Sequence, residues 1–241
     1  MKQGRIVIIT GAAGGLGSLF VDRFLANGDT VIATDKSEET LNQLAKREQL
    51  YTTVTDISEE ASCAKLAEFA RDKAGRVDVL INCAGYGPSQ SFDEMSLADW
   101  NKVIGINLTG DFLMVKAMLP LMRGRGWGRI VNIGSSSIFE GLPQMAHYDA
   151  AKAGVVGFSR SLARIVGSDG ITVNVVTPGL TVTPAAAKIP REVIEGHIKA
   201  RAIHREEKGE DLVGAVFFLA SPDADFITGQ TLNVDGGERM L

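Results

Sequence analysis

Cysteine and histidine are scarce in this chain of 241 residues, which has two of the first and three of the second. Cys63 and Cys83 fall in patterns that read as a helix and a strand end, and neither forms a metal-ligand spacing with His147, His197 or His204. A zinc module and a disulfide framework are therefore set aside, and both thiols are expected to be reduced core residues of a cytoplasmic protein. No proline- or serine-rich linker, low-complexity segment or internal repeat interrupts the chain, so one domain over 1–241 is expected. No apolar run is expected to approach a membrane span, and a first strand starting about five residues in leaves no room for a cleavable signal.

Positive charge is not in excess either: 25 Lys and Arg face 29 Asp and Glu, a formal net charge of -4. That balance gives no electrostatic reason for a nucleic-acid partner. The loose group of Arg123, Arg125 and Arg129 reads as a solvated turn before a strand.

Apolar residues make up 45% of the chain, enough for a sizeable core without staples, and the 27 glycines gather in turns beside apolar runs. Strands are expected at 5–10, 30–34, 51–55, 77–82, 129–133, 171–176 and 231–234. Helices are expected at 14–26, 38–47, 59–73, from Ser96 and Asp99 to about 121, then 147–166 and 210–219. Such alternation implies an α/β, doubly wound parallel sheet with helices on both faces, a single three-layer α/β/α domain. Ligands of such sheets sit beyond the carboxyl ends of the strands, where the strand order reverses.

Three groups of residues fall at those ends. The first is the turn from Thr10 to Gly17, in which Gly11 permits a tight bend, Gly15 lets backbone approach a pyrophosphate, and Gly17 lets helix pack on sheet. Gly14 and Leu16 belong to the same turn. The second is Asp35, placed to accept hydrogen bonds from ribose hydroxyls; a helix-capping role is its bland alternative. Its charge would repel a 2′-phosphate by about 4 kcal/mol at ~4 Å and an effective dielectric of ~20, partly offset if Lys36 turned inward. NAD is thus the expected cofactor, with NADP possible. Asp56 with Ile57, and Asn82, Ala84 and Gly85, could border the adenosine half, or serve only as a cap and a turn.

The third group is catalytic in kind. Tyr148 and Lys152 are four apart on a helix that is apolar nearly all round, so they rise from one face in surroundings where a lysine needs a reason. Carbonyl reduction needs a proton donor at the oxygen, and an ammonium ~5 Å from a phenol favours the phenolate by about 3 kcal/mol. Ser135, Ser136 or Ser137 could hydrogen-bond the substrate oxygen, and chemistry alone does not choose among them. Asn107 either satisfies backbone groups or holds a water near Lys152.

With these motifs assembled, the chain resembles the short-chain dehydrogenase/reductase family, which has a Rossmann-like fold, across nearly its whole length. The resemblance rests on the Thr-Gly-x-x-x-Gly-x-Gly turn at 10–17, Asn-x-Ala-Gly at 82–85, Tyr148 with Lys152, and Val-Asp-Gly-Gly at 234–237. It implies that Ser135 is the catalytic serine and that Asn107 joins Ser135, Tyr148 and Lys152 in the catalytic set. It also implies that Pro178, Gly179, Thr181 and Thr183 contact the nicotinamide end, that Asp35 selects NAD, and that the protein is a homotetramer packing the Tyr148 helix across an interface.

The activity so implied is NAD(P)-dependent oxidoreduction of a CH–OH group, with no metal. Substrate contacts are expected from Ser135, Ser137, Leu142, His147, Tyr148 and Leu180, with Glu140 and Met145 bordering the pocket. The segment 180–207 reads either as a mobile lid, with Ala185, Ala186, Ala187, Ile189, Val193 and Ile194 lining a pocket, or as a small amphipathic helix packed on the core. A small or medium secondary alcohol or ketone is the preferred substrate. The enzymatic rival is a 3-oxoacyl-[acyl-carrier-protein] reductase using NADPH. Some enzymes of the branch the chain is similar to dock the acidic carrier through a pair of surface arginines, where ungapped comparison puts Gly126 and Asp169 here. A non-catalytic dinucleotide sensor or scaffold is the alternative of another class.

Overall fold

The computed structural model describes residues 4–44, 46–183 and 189–240. Its strands are β1 (Ile6–Thr10), β2 (Thr30–Asp35), β3 (Leu50–Val54), β4 (Val79–Asn82), β5 (Gly128–Ile133), β6 (Ile171–Pro178), β7 (Thr181–Val182), β8 (Glu207–Lys208) and β9 (Thr231–Val234). Its helices are α1 (Gly17–Ala26), α2 (Glu38–Leu41), α3 (Glu60–Ala74), α4 (Leu97–Ile104), α5 (Gly110–Met122), α6 (Ala146–Val166), α7 (Arg191–Ala200) and α8 (Gly209–Leu219). Seven strands form one sheet in the order β3-β2-β1-β4-β5-β6-β9, and every pairing in it is parallel.

The near-continuous apolar strands are explained by two cores, one on each face of the sheet. Successive strand residues point to opposite faces. In β1, Ile6 and Ile8 join the layer of Leu66, Met114 and Met118 from α3 and α5, whereas Val7 and Ile9 join Phe20, Phe24 and Phe217 from α1 and α8. The same split separates Leu80 from Val79 and Ile81, and Ile130 from Val131. The order reverses between β1, which leads outward to β2, and its other neighbour β4, so a crevice opens where both strands end.

Several expectations need correction. The second helix stops at Leu41 rather than at 47, because Leu41 is the only residue of α2 that reaches the core. The long helix is divided, its two α-helical parts joined by a π-helical turn at Gly105–Thr109. The run Leu97–Met122 is also long and apolar enough, by length and composition, to cross a membrane, contrary to the expectation that none is. Its residues Leu113, Met114, Met118 and Met122 are buried in the sheet–α3 core, as in the core helix of a folded domain.

Arg129 is not solvated. It lies in β5 with 1% of its surface exposed, paired with Asp225 and donating to the Ser221 carbonyl at 3.2 Å. Burial, with repulsion from Arg5, pushes its guanidinium down to about 10. Arg123 and Arg125 do remain exposed. Arg5 is buried as well: it donates to Asp29 through Nε at 3.0 Å and through Nη2 at 2.5 Å, and to the Ala220 carbonyl at 2.6 Å.

In the segment expected to be a lid, 191–200 forms helix α7, and β7 pairs with β8 in a small second sheet. Ala185, Ala186 and Ala187 lie outside the described residues. Val193 is exposed rather than pocket-lining.

Candidate active site

A crevice of about 770 Å³ runs along the carboxyl ends of the strands, from Asp35 past the start of α1 to Ser135 and Tyr148. At its centre, Gly11 has φ +61°, and a Cβ there would stand 2.7 Å from Ala84 Cα. A Cβ on Gly17 would lie 2.1 Å from the Gly11 carbonyl oxygen. Only glycine allows this turn and this approach of helix to strand. Thr10 Oγ1 accepts from the amides of Cys83 and Ala84, both at 3.0 Å, which ties the β4 end to the turn. The first turn of α1 has no side-chain cap and no acidic residue, so its N–H groups and partial positive charge are open to an anion.

At one end of the crevice Asp35 accepts from Ala13 N at 3.2 Å and Ser37 N at 3.4 Å, one bond to each oxygen. Further lone pairs remain for ribose hydroxyls. The helix-capping alternative goes instead to Ser37, whose side chain accepts from Thr40 N. Lys36 does not turn toward Asp35 but pairs with Asp56 at 2.6 Å. Burial alone would raise Asp56; hydrogen bonds from Lys36 and Ser58 outweigh it and hold the carboxyl below its ordinary range. Ile57, Ala84 and Gly85 line the same wall.

At the other end, Lys152 is 3% exposed and donates to the Ile133 carbonyl at 2.7 Å, and its Nζ lies 5.8 Å from the centre of the Tyr148 ring. Ser135 follows β5, and its Oγ is 2.8 Å from that of Ser137. Ser137, Leu142, Pro178, Gly179, Leu180, Thr181 and Thr183 line this end, together with Glu140 and Met145. A carboxylate, a bare helix start, and a phenol beside an ammonium thus succeed one another along one groove. This order fits the ribose, pyrophosphate and reactive ring of a dinucleotide.

Three expected site residues do not face the crevice. Asn82 is buried and donates to Asn132 Oδ1 at 2.8 Å, and Asn132 donates to Ser159 at 2.8 Å, a chain that braces β4, β5 and α6. Asn107 sits in the π-helical turn and donates to the carbonyls of Tyr86 at 2.7 Å and Val103 at 2.9 Å, while accepting from Tyr86 N at 3.1 Å. It satisfies backbone groups and so holds the 85–87 loop beneath Lys152 and Tyr148. His147 is fully buried and accepts from Tyr148 N through Nδ1 at 2.9 Å. The start of α6 turns it inward, so it cannot touch a substrate in the crevice.

Other residues reach the crevice unforeseen. His197 of α7 lines it, held through Nδ1 by Glu238 at 2.7 Å, which no local motif announces. Glu140, His197 and Glu238 come within 4.8 Å of one another, but Arg239 at 2.8 Å and Arg201 at 3.3 Å already engage the two carboxylates. Cys83 also lines the crevice; burial raises its thiol to about 12, which leaves it unreactive.

Asp111 is a further buried carboxyl, one helical turn beyond Asn107, and among the described residues neither of its oxygens has a hydrogen-bond partner. Burial raises it to about 7, against the opposing pull of Lys152. The folded chain therefore keeps a proton that the unfolded chain releases, and stability should fall as pH rises from about 4 to about 7. Asp111→Asn should flatten that decline, by on the order of 4 kcal/mol at neutral pH. Denaturant midpoints of both proteins across this range would check it; parallel curves would remove Asp111 as the source.

Comparison with known proteins follows the same lines. A family model described as enoyl-(acyl carrier protein) reductase matches residues 11–238. The 3-oxoacyl-[acyl-carrier-protein] reductase FabG of Salmonella typhimurium is 37% identical over 99% of both chains. BbsD of Thauera aromatica, a (2S)-[(R)-hydroxy(phenyl)methyl]succinyl-CoA dehydrogenase subunit, is 35% identical over 99% of this chain and 98% of its own. A crystal structure from Brucella melitensis, described as a short-chain dehydrogenase/reductase of the glucose/ribitol dehydrogenase kind, superposes with a TM-score of 0.94. That protein is 32% identical and covers 99% of this chain and 98% of its own.

Proposed function

Because the chain belongs to the short-chain dehydrogenase/reductase family, we propose that it moves hydride between NAD(H) and a secondary alcohol or ketone held at the Ser135–Tyr148 end of the crevice. The observation that carries this reading is the convergence of Tyr148, Lys152 and Ser135 on one groove whose far end is closed by Asp35.

The bound dinucleotide supplies or accepts the hydride. Tyr148 gives a proton to the substrate oxygen in reduction and takes it back in oxidation. Lys152, fixed by the Ile133 carbonyl, holds its ammonium 5.8 Å from the centre of the Tyr148 ring and would offer its remaining N–H groups to the nicotinamide ribose. Ser135 places the substrate oxygen within reach of the phenol. Asn107 acts by positioning, through its grip on the backbone of Tyr86. Leu142, Met145 and Leu180 would bound the substrate with apolar surface, and α7, whose His197 lines the crevice, would cover it.

Two arguments favour NAD over NADP: Asp35 keeps a carboxylate at the ribose position, and the nearby cation, Lys36, is spent on Asp56. Asp35→Ala should narrow the preference for NAD over NADP by about ten- to a hundredfold, since a charge at this half-exposed site is partly screened. The ratio of kcat/KM with the two cofactors measures it, and an unchanged ratio would take the selector role from Asp35.

A second reading, reduction of a 3-oxoacyl thioester, is favoured by the 3-oxoacyl-[acyl-carrier-protein] reductases among the relatives. Against it, Gly126 and Asp169 offer no cation for an acidic carrier, and Asp169 is paired with Arg123 at 2.9 Å. Rates with cyclohexanol, cyclohexanone and a 3-oxoacyl thioester, each with both cofactors, separate the readings. Turnover of the thioester alone with NADPH would replace the first by the second, and dinucleotide binding without any turnover would promote the sensor. A cytoplasmic homotetramer is part of the proposal; the half-exposed Phe112, stacked edge-on against Phe158 of α6 at 6.3 Å, gives the α5–α6 face an apolar surface for a second copy.

A further inference from the structure

The substrate end of the crevice has a polar corner that the proton transfer does not use. His197 and Glu140 both line the crevice, and with Glu238 they bring ligand atoms within 4.8 Å of one another. We infer that His197 and Glu140 bind a second hydroxyl of the substrate, one that does not react, so that the enzyme acts on a diol, a polyol or a hydroxyketone rather than on a simple alcohol or ketone. The inference rests on the Ser135–Tyr148 reading of the reacting end and names the substrate class of that same site.

The corner is held by buried groups. Arg201, one turn after His197 in α7, is 3% exposed and donates to the carbonyls of Leu180 at 2.9 Å and Arg205 at 3.1 Å. That ties α7 to Leu180, which lines the crevice as well. Arg201 Nε lies 3.3 Å from Glu238 Oε2, and the other oxygen of Glu238, whose side chain is also buried, meets His197 Nδ1 at 2.7 Å. The backbone of Glu238 is fixed in turn: buried Asp235 accepts from the amides of Gly237, Glu238 and Arg239 at 2.8–3.1 Å. Arg239 then reaches Glu140 Oε1 at 2.8 Å. One imidazole nitrogen is therefore settled, and the other, Nε2, is left for a ligand.

The chemistry of the corner selects a hydroxyl. A carboxylate accepts hydrogen bonds, and so does the bare nitrogen of a neutral imidazole, whereas a protonated ring donates. A hydroxyl does both, so it pairs with Nε2 in either state of the ring and can donate to Glu140. Arg239 engages Oε1 of Glu140, and a carboxylate has further lone pairs. An anionic substituent would face Glu140 and Glu238, and a cationic one would face Arg239, so neither charge is favoured. An apolar substituent would strip water from both groups and return no bond.

The test compares kcat/KM for cyclohexanol with that for the cyclohexanediols, each regioisomer and each cis or trans form taken separately, with NAD+. At least one diol should exceed cyclohexanol by about tenfold or more. His197→Phe keeps a ring but has no nitrogen, and it should cut that advantage about tenfold; Glu140→Leu should cut it too, since each removes one partner of the same hydroxyl. A merely structural role would lower the diol and cyclohexanol alike. No diol better than cyclohexanol, an advantage that survives either substitution, or equal losses with both kinds of alcohol would overturn the inference. Should His197→Phe not fold, Glu140→Leu decides alone. Turnover of neither cyclohexanol nor any diol, or normal turnover by Tyr148→Phe, would instead overturn the site reading beneath it.

Discussion

Tyr148→Phe is expected to lower turnover by about a thousandfold or more while leaving dinucleotide affinity nearly unchanged. The substitution removes one hydroxyl and keeps the ring, which packs so closely on Gly87 that a Cβ there would lie 2.8 Å from Tyr148 Cδ2. The elements facing the dinucleotide do not depend on the phenol: Lys152 is anchored by Ile133, and Asp35 by Ala13 and Ser37. A fall in kcat with a steady dissociation constant for NAD therefore isolates the proton-transfer role. Equal turnover would take Tyr148 out of the chemistry, and equal losses in both quantities would mark it as structural.

Asp29→Ala should destabilise the fold by about 3–5 kcal/mol, the usual cost of stranding one member of a buried ion pair. Asp29 is fully buried and takes three bonds from Arg5, through its amide, Nε and Nη2, and one from Asn27. Without it a guanidinium 1% exposed keeps, among the described residues, the Ala220 carbonyl and the faces of Phe24 and Phe217, 5.3 and 5.2 Å away. For a domain of this size each kcal/mol moves the thermal midpoint by about 2–4 °C, so a drop of at least 6 °C is expected. The double variant Arg5→Met with Asp29→Leu should recover much of it, since neither charge is then left alone. A double variant no more stable than Asp29→Ala would place the loss in packing instead.

The parallel sheet was legible because its strands are apolar on both faces and its helices on one, a contrast that survives in the sequence at Ile6–Thr10 as well as at Ile171–Pro178. The glycine turn and the Tyr148–Lys152 pair were legible because their spacing is itself the geometry. What failed were residues whose meaning depends on distant partners. Arg129 belongs to the interior only because Asp225 and Ser221, more than ninety positions away, receive it. Asn82 looked like a crevice residue until Asn132 across the next strand claimed it. His147, one position from Tyr148, points away because adjacent residues on a helix diverge by about 100°. His197 entered the crevice from a helix whose docking no local pattern encodes.

The bond from Arg5 to Ala220 joins the first strand to a carbonyl 215 positions later. During synthesis β1 emerges long before α8 yet occupies an inner place in the sheet; Asp29 follows Arg5 soon, but the Phe217 ring and the Ala220 carbonyl that complete the shell of the guanidinium come only with the end of α8. A nascent chain truncated before Ala220 therefore carries, next to the strand it must bury, a cation whose shell is incomplete. Ribosome-bound intermediates of this length should stay open to protease at β1, and the barrier should close only when α8 and Ala220 leave the tunnel.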